Sequence, residues 1–128
     1  MRDTMKIQKE ILPLVLEDVS FQINRMRLIK DVNCTFKAGP RTVIVGPNGA
    51  GKSLFLRLCH GLIKPSAGAV RWTGPDGKDP STAQAMVFQR PVMLRRSVGA
   101  NVDYALKLRG ASSKIRSAII DDVLGRCG

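Results

Sequence analysis

A glycine-rich stretch, VIVGPNGAGKS at residues 43–53, constrains the fold more than any other part of this sequence. Gly46, Gly51, Lys52 and Ser53 fit the pattern G-x-x-x-x-G-K-[ST], which is typical of a phosphate-binding loop between a buried strand and a helix. Gly46, Gly49 and Gly51 are expected to take backbone conformations closed to other residues and to bring successive N–H groups close to an anion. A helix starting near Lys52 directs its positive end to the same point. The stretch therefore predicts a phosphate loop that opens a helix.

Each residue type in this loop suits one part of a Mg-nucleotide. The Lys52 ammonium would neutralise charge on the β- and γ-phosphates, and the Ser53 hydroxyl would bind the Mg²⁺ that accompanies them. The expected nucleotide-binding residues of the loop are Gly46, Pro47, Asn48, Gly49, Ala50, Gly51, Lys52, Ser53 and Leu54.

The residues before the loop alternate between apolar and polar side chains. Residues 18–23 and 32–37 both show this period of two, which predicts two half-buried strands. A turn at residues 24–27 would join them, so we expect an antiparallel pair ahead of the phosphate loop.

Two short apolar runs predict strands of a different kind. Residues 43–45 and 85–88 are continuously apolar, as in strands buried on both faces of a mostly parallel sheet. Between them, residues 69–73 predict a short strand on which Trp72 packs, and residues 74–77 predict a turn.

Three helices are predicted after the loop. The first is apolar on more than one face, which predicts burial between layers, and ends near Gly61; His60 would serve packing or the helix end. The second begins at a Ser97 cap and ends at Gly110, and the third begins at Ser112 or Ser113. The expected apolar positions are Val98, Val102, Ala105 and Leu106 on the second helix, and Ile115, Ala118, Ile119 and Val123 on the third.

Composition excludes several classes of protein. The net charge of +11 would suggest nucleic acid, but the basic residues are dispersed and aromatic residues make up only 5%, so we expect no nucleic-acid partner. Three scattered cysteines support neither a disulfide framework nor a zinc site. No apolar run reaches the 18 residues of a membrane span, and the first residues do not resemble a signal peptide.

Four segments, in the right order, resemble the ATP-binding cassette family, the nucleotide-binding subunits of ABC transporters. They are LEDVSF with LIKDVNCTFKAG, then VGPNGAGKSLFLRLCHGLIKPSAGAVRW, then MVFQRPVMLRRSVGANV. The VFQ-x-P segment followed by S/T-V-x-x-N-V is specific to ABC proteins. The resemblance implies an α/β fold: part of a P-loop NTPase core, an N-terminal antiparallel β-subdomain, and the start of a helical subdomain. It places an ATP-binding domain over residues 14–128, after a polar extension at residues 1–13.

The resemblance also implies ligands, partners and a location. ATP and Mg²⁺ would bind the phosphate loop, Lys52 and Gln89 would act in ATP hydrolysis, and Gln89 would join Ser53 at the metal and reach the attacking water. The loop after Gln89 would touch a transmembrane permease, and a second ATP-binding subunit would complete a dimer. The protein would be cytoplasmic and peripheral to the membrane. FQRPVMLRRSV is similar to the corresponding segment of oxyanion importers, tungstate importers above all.

Adenine recognition departs from the family pattern. The family usually stacks the base on an aromatic residue two positions after the Phe of VSF, and Ile23 stands there. Phe21, on the same predicted strand face, is the imperfect substitute. Loss of stacking removes about 1 to 3 kcal/mol of base affinity, so we expect weak base selectivity.

Three family motifs do not occur in these 128 residues: the LSGGQ signature, the strand ending in Asp-Glu, and the switch His. We therefore expect an incomplete domain whose residues 43–45 lack a neighbouring strand, and which alone does not hydrolyse ATP at a transporter-like rate. Asp103, Asp121 and Asp122 are expected to be solvated surface residues. Two alternatives stay open, a non-catalytic nucleotide-binding remnant and another P-loop enzyme such as a small-molecule kinase.

Overall fold

The structure, a computed structural model, describes residues 11–74 and 80–127. These residues divide into two units, one within residues 1–86 and one within residues 87–128. The first unit contains a sheet, one α-helix and a 3₁₀ turn, and the second contains two α-helices. The turn predicted at residues 74–77 lies largely outside the described residues.

The predicted antiparallel pair is present. Strands β1 (Leu14–Ile23) and β2 (Met26–Phe36) form a hairpin in which Leu14 pairs with Phe36 and Ile23 pairs with Met26. The turn consists of two residues, Asn24 and Arg25, with φ of 47° and 67°. This left-handed pair matches the twist of a two-residue hairpin, so the turn is shorter than residues 24–27.

Each hairpin strand contains a bulge, which interrupts the alternation, and both strands extend beyond their alternating segments. Asp18 and Asp31 adopt φ of 49° and 45°, and the register shifts at both places. The Asp18 backbone N–H donates to Asn33 Oδ1 at 2.9 Å, while Asn33 Nδ2 donates to Asp18 Oδ1 at 2.8 Å. Ser20 Oγ donates to Asp31 Oδ1 at 2.9 Å and accepts from the Asp31 N–H at the same distance. These side chains replace the ladder hydrogen bonds that a bulge interrupts.

Strand β3 (Ala67–Trp72) completes a sheet of order β2-β1-β3. It pairs antiparallel with β1, and its register shifts at the Asp18 bulge. It starts two residues earlier than predicted because Ala67 pairs with Ser20 beyond that bulge. The Arg71 guanidinium contacts the Glu17 carboxylate across the exposed face of this pair.

Helix α1 (Lys52–His60) follows the phosphate loop and ends at Gly61, as predicted. Leu58 and Cys59 enter the core, and the Phe55 ring packs against the Phe36 ring at a centroid distance of 6.3 Å. The prediction that α1 is buried on several faces is wrong, because Leu56 and the following Leu62 are exposed. The buried core is Ile11, Leu14, Leu16, Val19, Ile29, Leu58 and Cys59.

The two strands predicted from continuous apolar runs do not form. Residues 43–45 and 85–88 have no regular secondary structure. Val43 is 80% exposed and Val87 is 92% exposed. A strand exists only where its backbone groups pair with a neighbour, and within the described residues no strand pairs with either run. Apolar composition alone therefore led to a wrong prediction at both places.

In the second unit, helices α2 (Val98–Leu108) and α3 (Ser113–Cys127) pack together. Ser97 Oγ accepts from the Ala100 N–H at 3.2 Å, which confirms the predicted cap. A β-carbon on Gly99 would lie 3.7 Å from Ile120 Cγ2, so α3 approaches α2 closely there.

The predicted apolar faces of these helices are only partly right. Val98 and Ala105 are exposed on α2, whereas Val102 and Leu106 are half-buried. Ile115 and Ala118 are exposed on α3, because a different face of this helix packs against α2. The half-buried apolar residues of α3 are Ile119, Ile120, Val123 and Leu124.

Candidate phosphate-binding site

The phosphate loop has the left-handed backbone that its glycines predict at two positions. Gly49 and Gly51 both adopt φ of 85°, a conformation that other residues rarely take. The Ala50 N–H donates to the Pro47 carbonyl at 3.2 Å, which closes a turn between them. Gly46 differs from the prediction, since its φ is not positive and a β-carbon there would meet Ala50 Cβ at an ordinary 3.5 Å.

Gly51 is the N-cap of α1. It has no side chain to accept hydrogen bonds from the first turn, and that turn contains no acidic residue. The helical hydrogen bonds begin with the Phe55 N–H, which donates to the Gly51 carbonyl at 2.8 Å. A β-carbon on Gly51 would lie 3.1 Å from Ile29 Cδ1, so a side chain here would make a tight contact with β2. The first N–H groups of a helix have no partner within it, and together with the helix dipole they favour an anion at this end.

The Lys52 side chain folds back over the loop. Its Nζ atom donates to the carbonyl oxygens of Gly46 and Pro47, each at 2.7 Å. The ammonium group is thereby held at the loop that carries the left-handed glycines. A cation and several N–H donors form a set that suits the oxygens of a polyphosphate.

The remaining loop residues differ in exposure. Pro47, Asn48, Ala50 and Ser53 are exposed, so the Ser53 hydroxyl is accessible at the start of α1. Leu54 is half-buried and packs against the core, which leaves its backbone as the part that could reach a ligand.

The residues expected to recognise adenine have different surroundings. Phe21 is half-buried and packs against the core of the first unit. Ile23 is 50% exposed at the end of β1, beside the hairpin turn.

Gln89 belongs to the second unit, in the exposed irregular segment before α2, so its role at the metal rests on the family resemblance.

The end of α1 far from the loop is closed by hydrogen bonds that the sequence did not predict. Trp72 packs against the core, as expected, and its Nε1 atom also donates to the Cys59 carbonyl at 3.1 Å. Gln84 Nε2 donates to the His60 carbonyl at 3.0 Å. The N–H groups of Gly61 and Leu62 donate to the carbonyls of Leu58 and Arg57, both at 3.0 Å.

In the second unit, Asn101 holds the segment that leads into α2. The Leu94 N–H donates to Asn101 Oδ1 at 2.9 Å. Asn101 Nδ2 donates to the carbonyls of Leu94, Arg96 and Ser97 at 3.0 to 3.3 Å. Sequence reasoning missed this role, although the S/T-V-x-x-N-V pattern contained the signal.

The carboxylates that we expected to be solvated are partly paired. Asp103 Oδ1 accepts from Arg116 Nε at 2.6 Å, and Asp122 Oδ2 accepts from Arg126 at 2.5 Å. Both pairs link side chains of the second unit, so Asp103 and Asp122 have structural partners.

The core thiols have altered acidity. Burial, with a smaller contribution from Cys34, raises the pKa of Cys59 to about 12. Burial also raises the pKa of Cys34. Both thiols are therefore protonated, and poorly nucleophilic, at neutral pH.

The described residues contain neither a membrane-spanning helix nor a metal-binding cluster. Among residues 11–74 and 80–127, no helix has the length and apolar composition to span a bilayer. The same residues contain no cluster of three or more His, Cys, Asp or Glu side chains able to hold a metal ion.

Comparison with known proteins identifies the family of the chain. A sequence model described as "ABC transporter" matches residues 29–126. The tungstate uptake system ATP-binding protein TupC of Peptoclostridium acidaminophilum is 39% identical over 88 residues, which cover 68% of this chain and 41% of the relative. The taurine import ATP-binding protein TauB of Pelagibacter ubique is 34% identical over 82 residues, covering 63% and 31%. A solved structure of an ATP-binding subunit of an ABC transporter aligns with a TM-score of 0.61 and 26% identity, over 80% of this chain and 45% of the other.

These similarities confirm the predicted fold class, a partial α/β P-loop NTPase with an antiparallel β-subdomain. The chain belongs to the ABC transporter family. It spans about two fifths of the length of TupC and less than a third of TauB.

Proposed function

We propose that residues 46–54 bind the phosphates of ATP with Mg²⁺. The observation that carries this proposal is the position of Lys52 Nζ, 2.7 Å from two loop carbonyls, at a helix start that Gly51 leaves without a side-chain cap. Backbone N–H groups would hold the β-phosphate, and Lys52 would exchange its carbonyl contacts for phosphate oxygens. The Ser53 hydroxyl would bind the metal that accompanies the nucleotide.

Calorimetric titration with Mg-ATP tests this proposal. Lys52→Ala removes a charge-assisted hydrogen bond, so affinity should fall by about 1.5 to 3 kcal/mol, or roughly 10- to 150-fold. Lys64→Ala is the matched control, because Lys64 is an exposed lysine beyond the end of α1. Equal affinity of Lys52→Ala and the parent chain would refute the site.

We further propose that the chain acts as the ATP-binding subunit of an importer. TupC and TauB are named as ATP-binding proteins of uptake systems, which favours import coupled to ATP hydrolysis. In this proposal a transmembrane permease and a second ATP-binding subunit are the partners, and the chain works at the cytoplasmic face of the membrane. Gln89 would contact the Mg²⁺ and the attacking water.

Tungstate or a related oxyanion is the proposed cargo. The identity with TupC over 88 residues favours it over taurine. Uptake of labelled tungstate and labelled taurine should be compared in cells of the source organism that carry the parent gene or its Lys52→Ala form. Loss of tungstate uptake alone would support the oxyanion assignment, and loss of taurine uptake alone would overturn it.

A further inference from the structure

The end of α1 far from the phosphate loop borders a cavity in which no residue of that loop takes part. Its volume is about 340 Å³, and it opens to solvent. Ligand cavities in proteins usually enclose about 300 to 1,000 Å³, so the space suits a small molecule. At roughly 30 Å³ for each water molecule, it corresponds to about eleven waters or to an organic molecule of similar volume. All of its lining residues belong to the first unit.

The walls of this cavity are mainly apolar. Leu58, Ile63 and Val70 line it, together with Trp72, the only tryptophan of the chain. An indole ring stacks favourably on other aromatic rings, beyond the gain from buried area alone. These walls therefore favour a ligand with a flat aromatic ring.

The cavity carries a positive charge at Lys64. This lysine is one of the lining residues and is exposed, and within the described residues no Asp or Glu lines the cavity. Among residues 11–74 and 80–127, no carboxylate forms an ion pair with Lys64. An ammonium group beside an apolar wall favours a ligand in which an anionic group is attached to an apolar body.

Two hydrogen bonds join the walls of the cavity to each other. Trp72 Nε1 donates to the Cys59 carbonyl at 3.1 Å, which ties β3 to the end of α1. Gln84 Nε2 donates to the His60 carbonyl at 3.0 Å, which ties the segment after the 3₁₀ turn (Pro80–Thr82) to the same helix end. Walls that are already joined lose little conformational entropy when a ligand binds.

We propose that this cavity binds a small aromatic carboxylate. The ring would stack on the Trp72 indole and contact Leu58 and Val70, and the carboxylate would pair with the Lys64 ammonium. An aliphatic carboxylate would lack the stacking, and an aromatic amine would bring a second positive charge to Lys64. The cavity lies at the opposite end of α1 from residues 46–51, so this binding is separate from that of a nucleotide.

The indole N–H of Trp72 gives the test a specific signal. Because the chain contains one tryptophan, a ¹⁵N-labelled sample has one indole N–H resonance, and Trp72 lines the cavity. Benzoate and the longer cinnamate are the probes, and saturable shifts of this resonance are expected. The expected dissociation constants are on the order of 1 mM, since ligands this small bury little surface.

Two analogues separate charge from stacking. Benzamide has the shape of benzoate without its charge, and it should bind about fivefold more weakly, because water screens an ion pair with an exposed lysine. Cyclohexanecarboxylate keeps the charge but has no aromatic ring, and it should bind about threefold more weakly than benzoate.

Lys64→Met tests the charge at the cavity, and Lys30→Met is its matched control. Lys64→Met should weaken benzoate binding about fivefold and leave benzamide binding unchanged. Lys30 is exposed on β2, which β1 separates from β3, so loss of the same charge there should change benzoate affinity by less than about twofold. Lys52→Ala should bind benzoate as tightly as the parent chain, which distinguishes a failed nucleotide site from a failed cavity.

Three results would overturn the proposal. One is the absence of a saturable shift with both benzoate and cinnamate at about 10 mM, tenfold above the expected dissociation constant. Another is that benzamide or cyclohexanecarboxylate binds as tightly as benzoate, which would mean that charge or stacking plays no part. The third is equal weakening of benzoate binding by Lys64→Met and Lys30→Met, which would mean attraction through net charge alone.

Discussion

A β-carbon placed on Gly68 would lie 2.3 Å from the carbonyl oxygen of Asp18. Gly68 adopts φ of 79°, and β3 crosses the bulge of β1 at this point. Gly68→Ala therefore combines a left-handed conformation with a collision against backbone. We expect it to lower the free energy of unfolding by about 3 kcal/mol or more, measured by urea denaturation.

Gly61→Ala is the control for this variant. Gly61 has nearly the same φ, 81°, but a β-carbon there meets nothing within 4 Å. Gly61→Ala should therefore lower the free energy of unfolding by only about 1 kcal/mol, the cost of the left-handed conformation itself. Equal losses in the two variants would contradict the close approach of β3 to the bulge.

The chain should discriminate weakly between ATP and GTP, and a tyrosine at position 23 should make it prefer ATP. We expect ATP and GTP to differ in affinity by less than about tenfold, since Ile23 offers no ring for stacking. Ile23→Tyr should tighten ATP by about 1 to 3 kcal/mol in calorimetry. Gln22→Tyr is the control, because adjacent strand residues point to opposite faces. A strong preference of the parent chain for ATP would show that another ring, such as Phe21, stacks on adenine.

The buried thiol predicts how stability depends on pH. The folded chain keeps the Cys59 proton up to about pH 12, whereas the unfolded chain releases it near pH 9.0. The contribution of the Cys59 thiol to the free energy of unfolding is complete below pH 9. It is lost as the pH rises toward 12, because the unfolded state then binds fewer protons than the folded state. Between pH 8 and pH 10, this thiol should lower the free energy of unfolding by about 1.4 kcal/mol.

The measurement compares urea denaturation of the parent chain and Cys59→Ala at the two pH values. Titration of other groups cancels when the two proteins are compared. The free energy of unfolding of Cys59→Ala should therefore fall less between pH 8 and pH 10 than that of the parent chain. Cys127→Ala is the control, since that cysteine is exposed. The same decline in the parent chain and Cys59→Ala would contradict burial of this thiol.

Asn101→Asp tests how the loop that leads into α2, residues 94–97, is held. Aspartate keeps an oxygen that accepts from the Leu94 N–H, but it cannot donate to the carbonyls of Leu94, Arg96 and Ser97. The carboxylate would instead face those oxygens, so the loop should loosen. Amide hydrogen exchange of Leu94 and Arg96 should accelerate at least about tenfold, corresponding to 1.4 kcal/mol. Unchanged exchange would mean that the loop keeps its shape without these hydrogen bonds.

Local patterns were predicted well because their causes are local. The left-handed conformations of Gly49 and Gly51, the Ser97 cap and the end of α1 at Gly61 all follow from the chemistry of one or two residues. The antiparallel hairpin was also predicted, since its alternating pattern survives between the bulges.

Features that depend on distant residues were missed. The bulges place Asp18 opposite Asn33, and no pattern within either strand indicates that exchange of hydrogen bonds. The runs at residues 43–45 and 85–88 are apolar enough for buried strands, yet a strand also needs a neighbour. The donation from Trp72 to Cys59 joins residues on β3 and α1, which sequence periodicity cannot connect.

The closure of all four terminal carbonyls of α1 has a consequence for how the phosphate loop responds to a ligand. Trp72 and Gln84 tie the last two carbonyls to later parts of the chain, so displacement of the helix would break hydrogen bonds on a half-buried surface. It would also move Leu58 and Cys59 out of the core, whereas rotation of one peptide plane in residues 46–51 breaks at most two hydrogen bonds. Adjustment to a bound anion is therefore confined to about six residues, and the motional freedom lost on binding is theirs rather than that of the helix.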